Sequence, residues 1–292
     1  MPTLKKNYPL PTKLFLKGHQ CQKSVFAFFV MKYVEEGKLD LDKPLYEYLP
    51  FPDIAHDERY KKITGRMVLS HWSGFPNWRE NEEDKKLKIK FEPGTDYEYS
   101  GEGFQYLAMV LKHIEGTDWN GLETAFQDKV AKPLGMEHTT FIQTPYTIKN
   151  KAEPYDEKSQ WVDWKNDYWY KKDKGKFVAP ASIHSEPIDF SKWMIAVMNK
   201  EKLSQDSFKE LFKHHSKIST SSTGISIYYT LGFITADEPY NSTYFHGGSN
   251  EGFTSWYLMD IDKHWGYVLF TNSVYGERLG NELWNYLEKK KY

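Results

Sequence analysis

Apolar residues recur at helical spacing in several stretches of the chain. In the first, Val25, Phe28, Phe29 and Val34 fall on one helix face, and Gly37 marks the end. Similar patterns elsewhere end at a glycine, a proline or a polar pair. The predicted helices cover Ser24–Gly37, Ile63–His71, Glu102–Ile114, Leu122–Ala131, Glu186–Asn199, Asp206–His214 and Leu279–Lys289. The polar, aromatic stretch Gln160–Lys176 is predicted to be a loop.

The C-terminal third of the chain has a different pattern, with partial alternation of β-branched and aromatic residues. It predicts antiparallel strands at Gly224–Ile234, Gly252–Asp260 and Trp265–Asn272, followed by the closing helix. Helices first and strands later are typical of an α+β fold rather than of alternating βαβ units. We therefore expect residues 45–215 to be mainly helical and residues 224–292 to form an antiparallel sheet plus a C-terminal helix.

Composition and charge restrict the function classes. The 292 residues carry 39 Lys and Arg against 40 Asp and Glu, a formal net charge of −1 that argues against a nucleic-acid partner. The single cysteine excludes a disulfide framework and a cysteine-rich zinc site. The longest apolar runs, such as Val25–Met31, are too short to span a bilayer, and Met1–Lys17 lacks the apolar stretch of a signal peptide. The oligomeric state and the native compartment stay open.

Three segments carry candidate chemistry. Lys23 opens the first helix, Pro93–Thr95 is followed by Tyr99–Gly101 at the head of another helix, and His246–Gly252 lies between two predicted strands. In this order and at these spacings, the segments resemble the serine β-lactamase and penicillin-binding protein superfamily, especially its class C-like hydrolases, esterases and D-amino-acid peptidases. Further stretches that resemble its framework are Leu69–Pro76, Pro133–Met136 and Phe270–Ser273.

The resemblance implies a β-lactamase-like fold and hydrolysis through an acyl-enzyme. In such proteins the serine of an S-x-x-K motif attacks the carbonyl of an ester or amide, and water then releases the product. A buried lysine with a lowered pKa, or the tyrosine of a Y-x-N motif, accepts the serine proton. Backbone N–H groups beside the third motif stabilise the oxyanion. No cofactor is implied, and the expected partner is a small-molecule or peptide substrate.

Carried over position by position, the resemblance assigns roles to residues of this chain. The candidate catalytic residues are Lys23, Tyr99 and His246, and His246–Gly248 matches the H-x-G form of the third motif. The candidate substrate-binding residues are Ser100, Gly101, Gly247, Gly248 and Ser249. Gly101 stands where the family usually has asparagine, which favours an ester or a peptide over a β-lactam as substrate.

The largest departure from the family is at the nucleophile. Gln20 stands three residues before Lys23, and a carboxamide cannot attack a carbonyl. Codons for His19–Gln22, read two bases later, encode Ser-x-Ser, which restores S-x-S-K. We therefore interpret residues 1–22 as a doubtful segment translated out of frame, with the family's N-terminal strands missing. The chain is then an impaired hydrolase; a non-catalytic ligand-binding protein of the same fold and a decayed gene product are the alternatives.

Other side chains admit simpler interpretations. Cys21 lies about 200° around a helix from Lys23, so it is predicted to face away from the lysine. The ten histidines show no helical H-x-x-x-H pair, which predicts structural or surface roles and no metal site. The aromatic residues Trp161, Trp164, Trp169 and Tyr170 are suited either to a wall that holds an apolar acyl group, to stacking on a ring, or to plain packing.

Overall fold

The first long helix of the chain is buried on all sides. In this computed structural model the described residues are 16–17, 21–222, 224–236, 243–250 and 252–290, and α1 covers Gln22–Glu35. Eleven of its residues are buried, as expected for a helix that is apolar around its whole circumference. The predicted nucleophile position, Gln20, lies outside the described residues.

The remaining helices follow the apolar patterns of the sequence. They are α2 (Gly65–Leu69), α3 (Gly101–Ile114), α4 (Trp119–Phe126), α5 (Pro145–Lys149), α6 (Tyr168–Asp173), α7 (Pro187–Met198), α8 (Gln205–Phe212) and α9 (Gly276–Lys290). Short 3-10 turns at Leu45–Glu47, Pro52–Ile54, Glu58–Lys62, Arg79–Asn81 and Lys132–Leu134, and a π-helical turn at Gln127–Ala131, link them. Several helix N-termini are capped by side chains that accept backbone N–H groups, such as Ser100 for α3 and Glu186 for α7. No described helix has the length and hydropathy needed to cross a bilayer.

Strands form two sheets within the described residues. The short strands β1 (Leu16–Lys17) and β2 (His184–Ser185) pair with each other. Six further strands form an antiparallel meander in the order β3 to β8, each paired with the next in sequence. They are β3 (Ser216–Thr220), β4 (Ser226–Tyr229), β5 (Ile234–Ala236), β6 (Thr243–Asn250), β7 (Phe253–Asp260) and β8 (Trp265–Thr271).

Helices cover both faces of the six-stranded sheet. On one face, Tyr257 of β7 is bonded to Ser24 of α1 and packs against Trp193 of α7 at 5.6 Å between ring centres. On the other face, Trp256 of β7 lies under α9, next to Gly280. The arrangement follows from strand alternation, since successive side chains point to opposite faces. The α+β prediction is confirmed.

The structure corrects three predicted elements. The predicted strand Gly224–Ile234 is two strands, because the chain turns at Gly232, whose φ is +86°. The predicted loop Gln160–Lys176 contains helix α6, capped by Asp167. The third motif was expected between two strands, but its residues His246–Asn250 lie inside β6. This strand pairs with β7 along its whole length, from Thr243 opposite Asp260 to Asn250 opposite Phe253. Gly247 and Gly248 interrupt the apolar alternation of β6, so the strand was not predicted from the sequence.

Candidate active site

Lys23 lies at the start of α1, and its side chain is only 1% exposed. Its ammonium nitrogen is 4.3 Å from the ring centre of Tyr99 and 5.3 Å from that of Phe104. An aromatic face stabilises a lysine cation by about 0.5–2 kcal/mol, whereas burial costs an ion several kcal/mol. Burial therefore dominates and lowers the pKa of Lys23 from its ordinary 10.5 to about 7. At neutral pH, a large fraction of Lys23 is a neutral amine that can accept a proton.

Tyr99 brings a second polar group to Lys23. It directly precedes the Ser100 cap of α3, and its hydroxyl is buried without a hydrogen bond to any residue that the structure describes. Burial raises the pKa of Tyr99 well above 10, and the nearby Tyr97 and Cys21 raise it further. Tyr99 is consequently a protonated phenol at neutral pH. It can donate a proton, but it is not a phenolate and so cannot act as the base.

His246 reaches the same region from strand β6. Its ring centre is 6.3 Å from that of Tyr99. The Nε2 atom lies 2.8 Å from the Tyr229 hydroxyl, and Nδ1 lies 2.9 Å from the Gly247 carbonyl, which can only accept. Nδ1 therefore carries the proton, and Nε2 accepts from Tyr229. Burial and then the charge of Lys23 lower the pKa of His246 to about 3, so the imidazole is neutral at physiological pH.

The loop before α3 explains why position 101 is glycine. A Cβ on Gly101 would lie 2.7 Å from the Asn77 carbonyl oxygen, which is too close for any side chain. The same carbonyl accepts the N–H of Gly101 at 3.0 Å. The hydroxyl of Ser100 accepts from the Gly103 N–H and donates to the Pro76 carbonyl, so it serves as a helix cap. Neither residue presents a free polar side chain to a substrate.

The glycine motif on β6 has one packed face and one more open end. A Cβ on Gly247 would lie 2.2 Å from the Trp256 ring, so the indole occupies the space of a side chain. Gly248 pairs with Ser255 and is half-buried, and Ser249, which pairs with Thr254, is exposed. Of these predicted substrate-binding residues, Ser249 is the one with an accessible side chain.

Cys21 lies beside His246 but is not poised as a nucleophile. Its thiol is fully buried, donates to the His246 carbonyl at 3.2 Å and accepts from the Ser255 hydroxyl at 3.3 Å. Burial is the largest influence on this thiol, and it raises the pKa to about 12. A thiol with such a pKa has almost no thiolate at neutral pH, so it is chemically inert.

Sequence reasoning missed a member of this cluster, His71. Its ring lies 4.3 Å from the Tyr99 ring and 5.2 Å from the Phe104 ring, centre to centre, so it shares both neighbours of Lys23. The absence of a helical H-x-x-x-H pair predicted structural or surface roles for the histidines. The available signal was position, because His71 lies within Leu69–Pro76, one of the stretches that resemble the family framework.

The other aromatic residues separate in space rather than forming one platform. Trp164 is buried over Lys151, Trp169 packs against Trp78, and Trp161 is 52% exposed. Trp169 and Tyr170 line a cavity of about 170 Å³ together with Phe141, Gln143 and His184. Of the four aromatic residues, Trp169 and Tyr170 are thus the two that border this cavity.

A cluster of potential metal ligands occurs at the start of α7. Among the described residues, His138, Glu186 and Asp189 bring ligand atoms within 4.8 Å of one another. The Glu186 carboxylate accepts the N–H groups of Ile188 and Asp189 as a helix cap. Asp189 accepts the His138 N–H and pairs with Lys192. These contacts give both carboxylates a structural role.

Comparison with known proteins identifies the family to which this fold belongs. The family model described as Beta-lactamase matches residues 21–289, so the chain belongs to the Beta-lactamase family. The predicted resemblance is thereby confirmed.

Individual relatives are distant. The chain is 23% identical over 268 residues to Protein flp of Staphylococcus aureus (strain MW2), covering 86% of this chain and 51% of that protein. It thus spans about half the length of this curated relative. A D-stereospecific amidohydrolase from a Streptomyces species superposes with a TM-score of 0.72 at 18% identity, over 89% of this chain and 82% of that one. A mutant class C beta-lactamase also gives a TM-score of 0.72 at 18% identity, over 94% and 82%. At these identities the two structures show the shared fold.

Proposed function

We propose that this cleft belongs to a serine hydrolase that cleaves an ester or amide through an acyl-enzyme, with Lys23 as the proton acceptor. The proposal rests mainly on the burial of Lys23 beside Tyr99 and His246. These three residues come from distant parts of the sequence. Burial supplies a neutral amine near pH 7, which general-base catalysis requires. Neutral His246 and protonated Tyr99 leave Lys23 as the group suited to accept the proton of a nucleophile.

The proposed mechanism assigns each side chain one task. In a frame-restored chain whose first helix begins before position 20, a serine three residues before Lys23 would lie about one helical turn from it on the same helix face. Lys23 takes the serine proton during attack on the carbonyl. When the leaving group departs, Tyr99 gives its hydroxyl proton to that group and receives the proton held by Lys23, so that both side chains return to their starting states. His246 holds the Tyr229 hydroxyl and thereby fixes β6, whose backbone borders the acyl site. The glycine at position 101 supports our preference for an ester or peptide over a β-lactam, since no amide side chain extends from it.

The chain as written is proposed to lack the first step. Gln20 has no nucleophilic atom, and the adjacent Cys21 thiol is buried and bonded. These same observations favour the alternative of a ligand-binding protein that retains the cleft without catalysis. Restoring a serine three residues before Lys23 distinguishes a hydrolase from a ligand-binding protein.

Covalent labelling tests the proposal. We expect a fluorophosphonate probe to leave the chain as written unlabelled and to label a frame-restored chain at the serine three residues before Lys23, with a stoichiometry approaching one. A Gln20→Ser variant tests whether the serine alone suffices. Mass spectrometry of the tryptic peptides locates the adduct. The frame-restored chain carrying Lys23→Met is the matched control, and it should lose most of the labelling.

Two results would contradict this account. Labelling of the chain as written at Cys21 would show that the buried thiol is reactive. A frame-restored chain that melts cooperatively but takes up no probe would remove the hydrolase proposal and leave ligand binding.

A further inference from the structure

His71 has an unusual backbone conformation just after α2. Its φ is +59°, in the left-handed region that histidine and asparagine tolerate better than most residues. Its N–H donates to the Val68 carbonyl, and its carbonyl accepts the Glu98 N–H at 3.0 Å. These bonds fix the main chain so that the imidazole points into the interior, where it is 0% exposed.

The proton position on His71 follows from one hydrogen bond. The Ser100 N–H donates to Nδ1 at 2.9 Å, and a backbone N–H can only donate, so Nδ1 is the accepting nitrogen. Nε2 then carries the proton of the neutral ring. Burial holds the pKa of His71 well below 6.5, and the positive charge of Lys23 lowers it further. The Nε2 atom is buried without a hydrogen-bond partner among the described residues.

The ring of His71 is enclosed by the aromatic groups that surround Lys23. It lies against Tyr99 at 4.3 Å, Phe104 at 5.2 Å and Tyr229 at 4.4 Å, measured between ring centres. Lys23 rests on two of these three rings. Removal of the imidazole would leave a gap next to Tyr99 that water or a shifted phenol ring can fill.

We propose that His71 is a positioning residue, which holds the Tyr99 ring against Lys23 and keeps water away from the lysine. The relevance of this role to catalysis rests on the proposed function. The positioning of Tyr99 against Lys23 concerns the chain as written, so it can be tested without measuring catalysis.

The groups that face Lys23 determine how its titration is interpreted. Cys21 lies on the same helix, Tyr99 and His71 approach from the loops before α3, and His246 approaches from β6. In our account the cysteine, tyrosine and both histidines are all uncharged near pH 7. A change in the Lys23 titration near neutral pH then reports exposure to water rather than titration of a neighbour.

The test compares two histidine-to-asparagine variants. In His71→Asn, the amide oxygen can still accept the Ser100 N–H, and asparagine tolerates the left-handed backbone, but the ring that contacts Tyr99 is lost. We expect the Lys23 titration midpoint, followed by NMR of the side-chain ¹³Cε and ¹⁵Nζ signals, to rise by about one pH unit or more, a roughly ten-fold larger ammonium-to-amine ratio at neutral pH. His215→Asn, a control at a partly buried histidine beside Arg66, should leave the midpoint unchanged.

An unchanged Lys23 midpoint in folded His71→Asn would overturn the proposal, whatever the outcome of the covalent labelling. If the variant does not fold, the tautomer of His71 in the unaltered chain decides. A neutral ring with a slowly exchanging Nε2–H at pH 7 supports the proposal. An imidazolium, or an Nε2–H in fast exchange with water, overturns it.

Discussion

Replacement of Lys23 by methionine should stabilise the protein most below neutral pH, and the gain should disappear as the pH approaches 10.5. In the folded state the pKa of Lys23 is about 7, against 10.5 when it is exposed. Between these values the unfolded chain binds more protons than the folded chain, so the stability of the unaltered protein rises with pH. Below about pH 7 the full cost of burying the ammonium is present, and it amounts to at most about 5 kcal/mol.

The measurement is urea unfolding of the unaltered chain and Lys23→Met at a series of pH values from 6 to 10.5. Lys171→Met serves as the matched control, because Lys171 is exposed in α6. The control should change stability by only a few tenths of a kcal/mol at every pH. A Lys23→Met variant that is less stable than the parent below pH 7 would show that the ammonium is paired rather than merely desolvated.

The second large effect concerns the turn that fixes the start of α1. Gly232 has a φ of +86°, and a Cβ there would lie 2.6 Å from the Ala27 Cβ and 2.8 Å from the Lys23 carbonyl. The Gly232 carbonyl accepts the Ser24 hydroxyl at 2.5 Å. Gly232→Ala should therefore cost about 1–2 kcal/mol for the left-handed backbone and about 1–3 kcal/mol more for displacement of α1.

Gly224 provides a close control for this substitution. Its φ is +87°, nearly the same, and a Cβ there meets nothing within 4 Å among the described residues. Gly224→Ala should thus show the backbone cost alone in a denaturation curve. Equal losses for the two variants would mean that the turn does not press against α1, and the placement of Lys23 would then need another cause.

Local patterns predicted most of the helices because their apolar faces and caps are adjacent in sequence. The apolar pattern around Phe104 and Leu107 predicted α3. Its N-cap, Ser100, belongs to the Tyr99–Gly101 motif. Strand β6 could not be predicted in this way, because the space of a side chain at Gly247 is filled by the ring of Trp256, a residue of the neighbouring strand. The break at Gly232 likewise depends on contact with α1, which is distant in sequence.

The candidate site was partly predictable for the same reason. Lys23, Tyr99 and His246 could be selected because each lies in a recognisable motif. The inert character of Cys21 results from burial and not from the helix geometry used to predict it. Its hydrogen bonds to Ser255 and His246 join distant segments of the chain, so sequence patterns could not reveal them. His71 has no motif of its own, and its role emerges only when α2, α3 and the sheet meet around Tyr99.

The most direct test of the central claim is the titration of Lys23 in the unaltered, folded chain. With lysine labelled at ¹³Cε and ¹⁵Nζ, and with Lys23→Met to assign its signal, NMR spectra from pH 5 to 11 give the midpoint. We predict a midpoint near 7, which leaves a large neutral fraction at physiological pH. A midpoint above about 10, as in an exposed lysine, would contradict the account, because the amine would then be protonated whenever a substrate is bound.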